Sequence, residues 1–157
     1  METLNEFLSE LPVRKLQPGE VLMHQGGTDK QVFLLKNGAV EVLKDGVSIT
    51  EVSEELAVFG EMAILLNKNH TATVRAATES EFYVVEDAKK VLTWHPEAAM
   101  YVAEILARRL DSLNRYLVDV KSQFRQFDDH VNMVDEVLDT LMTKHPRNVE
   151  RRSFEEQ

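Results

Sequence analysis

A glycine and a carboxylate stand together in Phe59-Gly60-Glu61-Met62-Ala63-Ile64-Leu65-Leu66, and after a short loop comes Thr71-Ala72-Thr73-Val74-Arg75-Ala76. Residues 60–66 read as one short helix. The first N–H groups of a helix have no partner inside it and bind anions, phosphate above all. Gly60 lets a ligand approach the backbone closely. The Glu61 carboxylate beside it can accept a hydrogen bond from a sugar hydroxyl. Phosphate and sugar at one point describe a nucleotide. Taken alone, the same Gly-Glu pair also describes a merely capped helix.

Other chemistries find no support in the chain. Cysteine is absent, which removes disulfides, thiol catalysis and Cys-type zinc sites. The histidines His24, His70, His95, His130 and His145 are far apart, with no two at helical i,i+4 spacing, so no metal site is expected. No Gly-x-Ser-x-Gly, Walker loop or two-glycine dinucleotide fingerprint occurs. The adjacent carboxylates Glu54-Glu55 fall in a loop and read as solvated. A binding protein is therefore expected, with no enzymatic activity and no cofactor.

The chain has 157 residues, 43% hydrophobic and 29% charged, with 18 Lys+Arg against 27 Asp+Glu and a net charge of −9. One domain with an extended element fits that length, and a chain of this size can bury a core without staples. The acidic balance argues against duplex DNA or an anionic membrane as partner. No run approaches the roughly 18 apolar residues of a membrane span. The start, Met1-Glu2-Thr3-Leu4, lacks the positive charge and apolar stretch of a signal peptide. A cytoplasmic location is the expectation.

The elements that must position the Gly-Glu segment change character near Pro96. All six glycines lie in the first 60 residues, between short apolar runs. Residues 4–11 predict a short helix, with Thr3 as N-cap and Glu6 completing a capping box before Pro12. Pro18-Gly19 and Gln25-Gly26-Gly27 read as turns around a strand at 20–24. Residues 32–35 form a continuous apolar strand. Asn37-Gly38 is a hairpin signal, followed by alternation at Val40, Glu41 and Val42. Lys44-Asp45-Gly46 is a second hairpin turn. Residues 71–77 and 81–85 supply further strands. Many short strands separated by turn signals predict a sandwich or barrel.

After Pro96, Leu106, Leu110, Leu113, Leu117, Val120, Phe124, Phe127, Val131, Val134, Leu138 and Leu141 recur at alternating steps of four and three. Pro96 suits the first helical turn and Glu97 the positive end of the helix dipole. An unbroken helix of about 45 residues would be roughly 68 Å long at 1.5 Å per residue, too long for one barrel to cover. The seam therefore predicts a homodimeric coiled coil through Leu106, Leu110, Leu113, Leu117, Val120, Phe124 and Phe127. Asp128-Asp129 can also cap a fresh helix, which would make a hinge near 128. The organisation expected is a roll at 1–95, a dimerisation helix at 96–145 and a flexible charged tail at 146–157.

The order and spacing of these motifs resemble the cyclic nucleotide-binding domain family, found in catabolite-activator-type transcription factors and kinase regulatory subunits. Leu16-x-Pro18-Gly19-Glu20-x-Leu22, Gln25-Gly26, Asp29 and Phe33-Leu34-Leu35-x-x-Gly38-x-Val40-x-Val42 match its glycine turns and strands. Phe59-Gly60-Glu61 matches the start of its phosphate-binding cassette, and Ala107-Arg108-Arg109-Leu110 resembles its dimerising helix. The resemblance runs from Phe7 to Phe127. It implies an α+β fold: an antiparallel β-roll with a short N-terminal helix, a cassette helix and a long C-terminal coiled-coil helix.

It also implies a ligand, a cyclic nucleotide such as cyclic AMP. The N–H groups of Gly60, Glu61, Met62 and Ala63 would meet the phosphate, Glu61 the ribose 2′-hydroxyl, and Asn114 on the long helix the base. The family's cassette carries an arginine nine or ten residues after the glutamate. Here His70 stands nine after Glu61, and Thr71-Ala72-Thr73-Val74 then aligns without gaps. Arg75 is not that arginine displaced, since a basic residue before the alanine is ordinary in the family. Losing a charge-assisted contact worth about 1.5–3 kcal/mol lowers affinity by roughly one to two decades. A protonated imidazole restores part of it, and only at lower pH. Two functions follow. The first is a sensor that relays ligand state to an unknown downstream protein or fused domain. The second is a scaffold with a silent site whose function is dimerisation. The short charged segment after Pro146 offers no helix-turn-helix for a DNA-reading role.

Overall fold

The structure, a computed structural model, describes residues 3–124 and 128–142. The chain divides into two compact units, 1–105 and 106–157.

The first unit opens with α1 (Leu4–Ser9), whose capping box is formed as the sequence predicts, Thr3 and Glu6 exchanging backbone hydrogen bonds. Eight strands follow: β1 (Val13–Leu16), β2 (Val21–Met23), β3 (Val32–Asn37), β4 (Val40–Lys44), β5 (Val47–Val52), β6 (Val58–Phe59), β7 (Thr73–Ala76) and β8 (Ser80–Val85). They pair antiparallel in two four-stranded sheets, β1-β8-β3-β6 and β2-β7-β4-β5. α2 (Glu61–Leu65) lies between β6 and β7, and α3 (Ala88–Trp94) follows β8. This is the antiparallel β-roll expected.

The core lies between the sheets, built around Phe33, Leu35, Val40, Val74 and Phe82. β3 reads as a continuous apolar run because both of its faces are covered. Phe33 and Leu35 point into the roll. Val32 and Leu34 face Leu4 and Phe7 of α1 and Val91 and Leu92 of α3, along with Ala98 and Val102 farther on. Burying each such side chain fully contributes on the order of 1.5–3 kcal/mol.

Of the two expected hairpins, one forms. Asp45 (φ 52°) and Gly46 (φ 77°) make the tight turn between β4 and β5, with Lys44 opposite Val47. Asn37-Gly38 makes no hairpin, since β3 pairs with β6 and β8 whereas β4 pairs with β5 and β7. The segment instead carries the chain from one sheet to the other. Gly38 (φ 99°) is needed there because a Cβ would sit 2.6 Å from the Glu79 carbonyl oxygen and 2.7 Å from Ser80 Cα. The return crossing from β7 to β8 passes the same point. The Ala39 N–H reaches Thr78 Oγ1 and Ser80 Oγ, both at 3.1 Å, while the Ala77 N–H donates to Ala39 O at 2.8 Å.

α4 (Pro96–Gln123) starts at the expected proline and runs from the first unit into the second. In the first unit its Tyr101 hydroxyl donates to Leu56 O at 2.7 Å, ahead of β6. The helix is not continuous over 96–145: it ends at Gln123, and α5 (Asp128–Met142) begins where Asp128-Asp129 offered a fresh start. Lys121 and Asp135 form an ion pair across that junction. Fourteen residues of unbroken helix would hold them about 21 Å apart, so α4 and α5 are not one straight helix. Leu110, Leu113 and Phe124 of the seam are exposed, while Leu106, Leu117 and Val120 are half-buried. Phe127 and the tail 146–157 lie outside the described residues. Among the described residues no helix is long and apolar enough to cross a membrane.

Candidate functional site

The site forms where the end of β6 runs into α2. Gly60 is the N-cap of this five-residue helix, in the left-handed region at φ 89°, ψ −2°. A side chain there would place its Cβ 2.7 Å from the Gln31 carbonyl oxygen, so the glycine is required by conformation and by space. No side chain caps the helix start. Glu61, its first residue, is 3% exposed. Met62 faces solvent and Ala63 is buried, the alternation of a short helix laid on the roll.

His70 is 3% exposed and its side chain is fully enclosed. Its backbone is tied to the β2–β3 connection: Gly26 N–H donates to His70 O at 2.8 Å, and His70 N–H donates to Gly27 O at 3.0 Å. The ring lies between two glycines. Cδ2 is 3.3 Å from where a Gly27 Cβ would be, and Cε1 is 3.3 Å from where a Gly60 Cβ would be. Nε2 is 2.9 Å from Asp29 Oδ2. The two atoms are close but poorly aligned, and neither ring nitrogen makes a hydrogen bond among the described residues. The other oxygen of Asp29 accepts the Gln31 N–H at 3.3 Å, so the loop itself orients this carboxylate.

The structure thus brings Gly60, Glu61, Ala63 and His70 to one place, with Thr71 half-buried at the edge leading into β7. It also brings Asp29 there, which the residue pattern alone did not single out as part of a site. The contact joins positions far apart in the chain, and only the glycine turn at 26–27 hinted at it. Arg75 is committed elsewhere: its Nε and Nη2 lie 2.8 and 2.7 Å from Glu41 Oε2 on the neighbouring strand. Ser48 and then Arg75 hold the Glu41 carboxyl below the ordinary carboxylate value. Asn114 lies on α4 in the second unit, half-buried, with Oδ1 shielded from water and no hydrogen bond to it among the described residues. Among the described residues no group of three His, Cys, Asp or Glu side chains is placed to hold a metal ion.

Residues 13–89 match the family profile described as the cyclic nucleotide-binding domain. The human potassium/sodium hyperpolarization-activated cyclic nucleotide-gated channel 4 is 27% identical over 114 residues, covering 71% of this chain and 9% of the channel. The chain spans about a tenth of the length of such curated relatives. Among solved structures, the Thermus thermophilus catabolite activator protein superposes with a TM-score of 0.60 at 21% identity, covering 79% of this chain and 67% of that one. The cAMP-bound PfPKA-R (141-441) superposes at 0.54 and 23% identity, covering 70% and 37%. From β1 into α3, residues 13–89 thus match the cyclic nucleotide-binding domain family, and these neighbours share the fold.

Proposed function

We propose that this chain is a sensor of cyclic AMP that dimerises through α4 and relays ligand state to a partner or attached domain. The observation that carries this reading is the pair of buried polar side chains at the glycine cradle, Glu61 and His70, each 3% exposed. Both stand where the resemblance places the beginning and the end of the family's cassette. In this reading the amides of Gly60 to Ala63 and a protonated His70 hold the phosphate. Glu61 takes the ribose hydroxyl and Asn114 meets the base. The exposed seam residues Leu110 and Leu113 form the dimer contact with a second copy. Calorimetry with cyclic AMP and cyclic GMP tests it. Binding of cyclic AMP that weakens in Glu61→Ala supports the reading, and no heat with either nucleotide at millimolar concentration refutes it.

The enclosed His70 ring also favours a second reading. It fills the space between Gly27 and Gly60 and leaves the site without a fixed positive charge. A silent roll that only presents its helices for dimerisation would show no binding at any pH while light scattering still reports a dimer.

A further inference from the structure

We propose that the Tyr101 hydroxyl latches a strained turn: it holds Leu56 in the left-handed region and so ties the start of α4 to the strand that enters the cassette. The inference goes beyond the cyclic nucleotide reading and does not rest on it. Among the described residues three non-glycine residues have positive φ: Asp45 (52°), Leu56 (62°) and Asn67 (49°). Aspartate and asparagine visit that region readily, whereas a leucine there is an outlier. Leu56 is the third residue of a turn over 54–57, closed by the Ala57 N–H donating to Glu54 O at 3.1 Å. A third turn residue with positive φ is ordinarily glycine or asparagine. Strain of this kind persists only where the surroundings over-determine it. Here both backbone groups of Leu56 are held. Its N–H donates to Leu35 O on β3 at 2.7 Å, and its carbonyl accepts the Tyr101 hydroxyl at 2.7 Å.

The two grips have different footings. Leu35 is fully buried on a strand paired on both sides, by β8 and β6. Tyr101 sits on a helix that meets the roll along an apolar seam, beside Val58 and Val102. Apolar contact has no direction, so the hydrogen bond is what fixes the hydroxyl over Leu56. A left-handed leucine is unfavourable by about as much as one hydrogen bond is favourable. The turn is therefore poised. With the hydroxyl away, Leu56 returns to negative φ and its N–H turns off Leu35 O. β6 begins at Val58 and Gly60 follows it directly. A displacement of residues 96–105 thus reaches the start of the cassette through the backbone, and a displacement of Gly60 reaches α4 by the same route. Tyr101 is a positioning residue, acting on the cassette through Leu56.

Tyr101→Phe removes the hydroxyl and keeps the ring in the apolar seam. Magnetic resonance of the full chain, without ligand, reads the turn. The one-bond Cα–Hα coupling of residue 56 reports the sign of φ: positive in the wild type, moved to negative in Tyr101→Phe. Amide exchange at Leu56 becomes roughly three- to tenfold faster in the variant, and the Gly60 and Glu61 amide signals shift with it. Leu56→Asn separates the latch from a merely structural hydrogen bond, because asparagine tolerates the left-handed region. In that background Tyr101→Phe leaves residue 56 at positive φ, with its exchange within about twofold of the parent. Leu56→Gly repeats the control without a side chain. A leucine that stays left-handed in Tyr101→Phe, or an equal loss of protection in all backgrounds, overturns the proposal. Unchanged Gly60 and Glu61 signals overturn the tie to the cassette. Each outcome is read whether or not a nucleotide binds, so failure of the latch and failure of the nucleotide reading are told apart.

Discussion

Replacing Gly60 by alanine tests whether the cassette start is held by conformation alone or also by the close approach of the β2–β3 connection. Gly46 is the internal control. Both glycines are left-handed, at φ 89° and φ 77°. An L-residue in that region costs about 1–2 kcal/mol. A Cβ at Gly46 meets nothing within 4 Å, so Gly46→Ala carries that cost alone. A Cβ at Gly60 meets the Gln31 carbonyl oxygen at 2.7 Å, a backbone atom that cannot rotate aside, and the His70 ring at 3.3 Å. Overpacking of this kind adds about 1–3 kcal/mol, for a total of about 2–5 kcal/mol against a typical domain stability of 5–15 kcal/mol. Urea unfolding followed by far-UV circular dichroism gives both values, provided each variant unfolds in one transition with an unchanged slope. Gly60→Ala should be the more damaging by about 1–3 kcal/mol. Equal losses for the two variants would show that the Gln31 approach is loose, and the argument for a tightly built cradle would fail.

Restoring the family's charge with His70→Arg should tighten cyclic AMP binding by about 1–3 kcal/mol, since a guanidinium carries its charge at every working pH; weaker calorimetric binding than the wild type would refute this. Leu113→Asp should convert the proposed dimer to a monomer by light scattering while leaving circular dichroism unchanged, because Leu113 is 44% exposed in the single chain. A monomeric wild type at micromolar concentration would sink the dimer outright. Glu41, depressed by the Ser48 hydroxyl and Arg75, contributes stability that is present above its unfolded value near 4.5 and is lost as pH falls through its lower folded value. Glu41→Gln should therefore show a shallower loss of stability on acidification over that interval, and an unchanged acid limb would contradict the pairing.

Local signals carried much of the roll. The Thr3–Glu6 box, the Asp45-Gly46 turn, the β4 alternation and the start at Pro96 are each written in a few adjacent residues, and each is found. Elements that depend on partners were less legible. β1 carries mixed exposure, β5 is exposed at five of its six positions, and β6 is two residues long, so no period marks them. Asn37-Gly38 misleads because the same dipeptide that favours a hairpin also permits a close crossing, and only the position of Ser80 decides between them. The heptad seam spans the break between α4 and α5 without a change of period, so the break leaves no mark on the apolar pattern. At the candidate site, Gly60 and Glu61 stand out as an adjacent pair, and His70 is singled out by the family resemblance. The pairing of Asp29 with His70 was not legible, because it is made across a loop-to-loop contact.

The double crossing at Gly38 and Ser80 has a consequence for how such a roll can move. The passage from β3 to β4 and the return from β7 to β8 are stitched together at Ala39, Thr78 and a wholly buried Ser80. Two sheets riveted at a shared corner cannot slide over one another without breaking several enclosed hydrogen bonds at once. The barrel therefore acts as an anvil. In the proposed sensor, a signal struck on the cassette would leave by the parts that are not riveted, α1, α2 and α3.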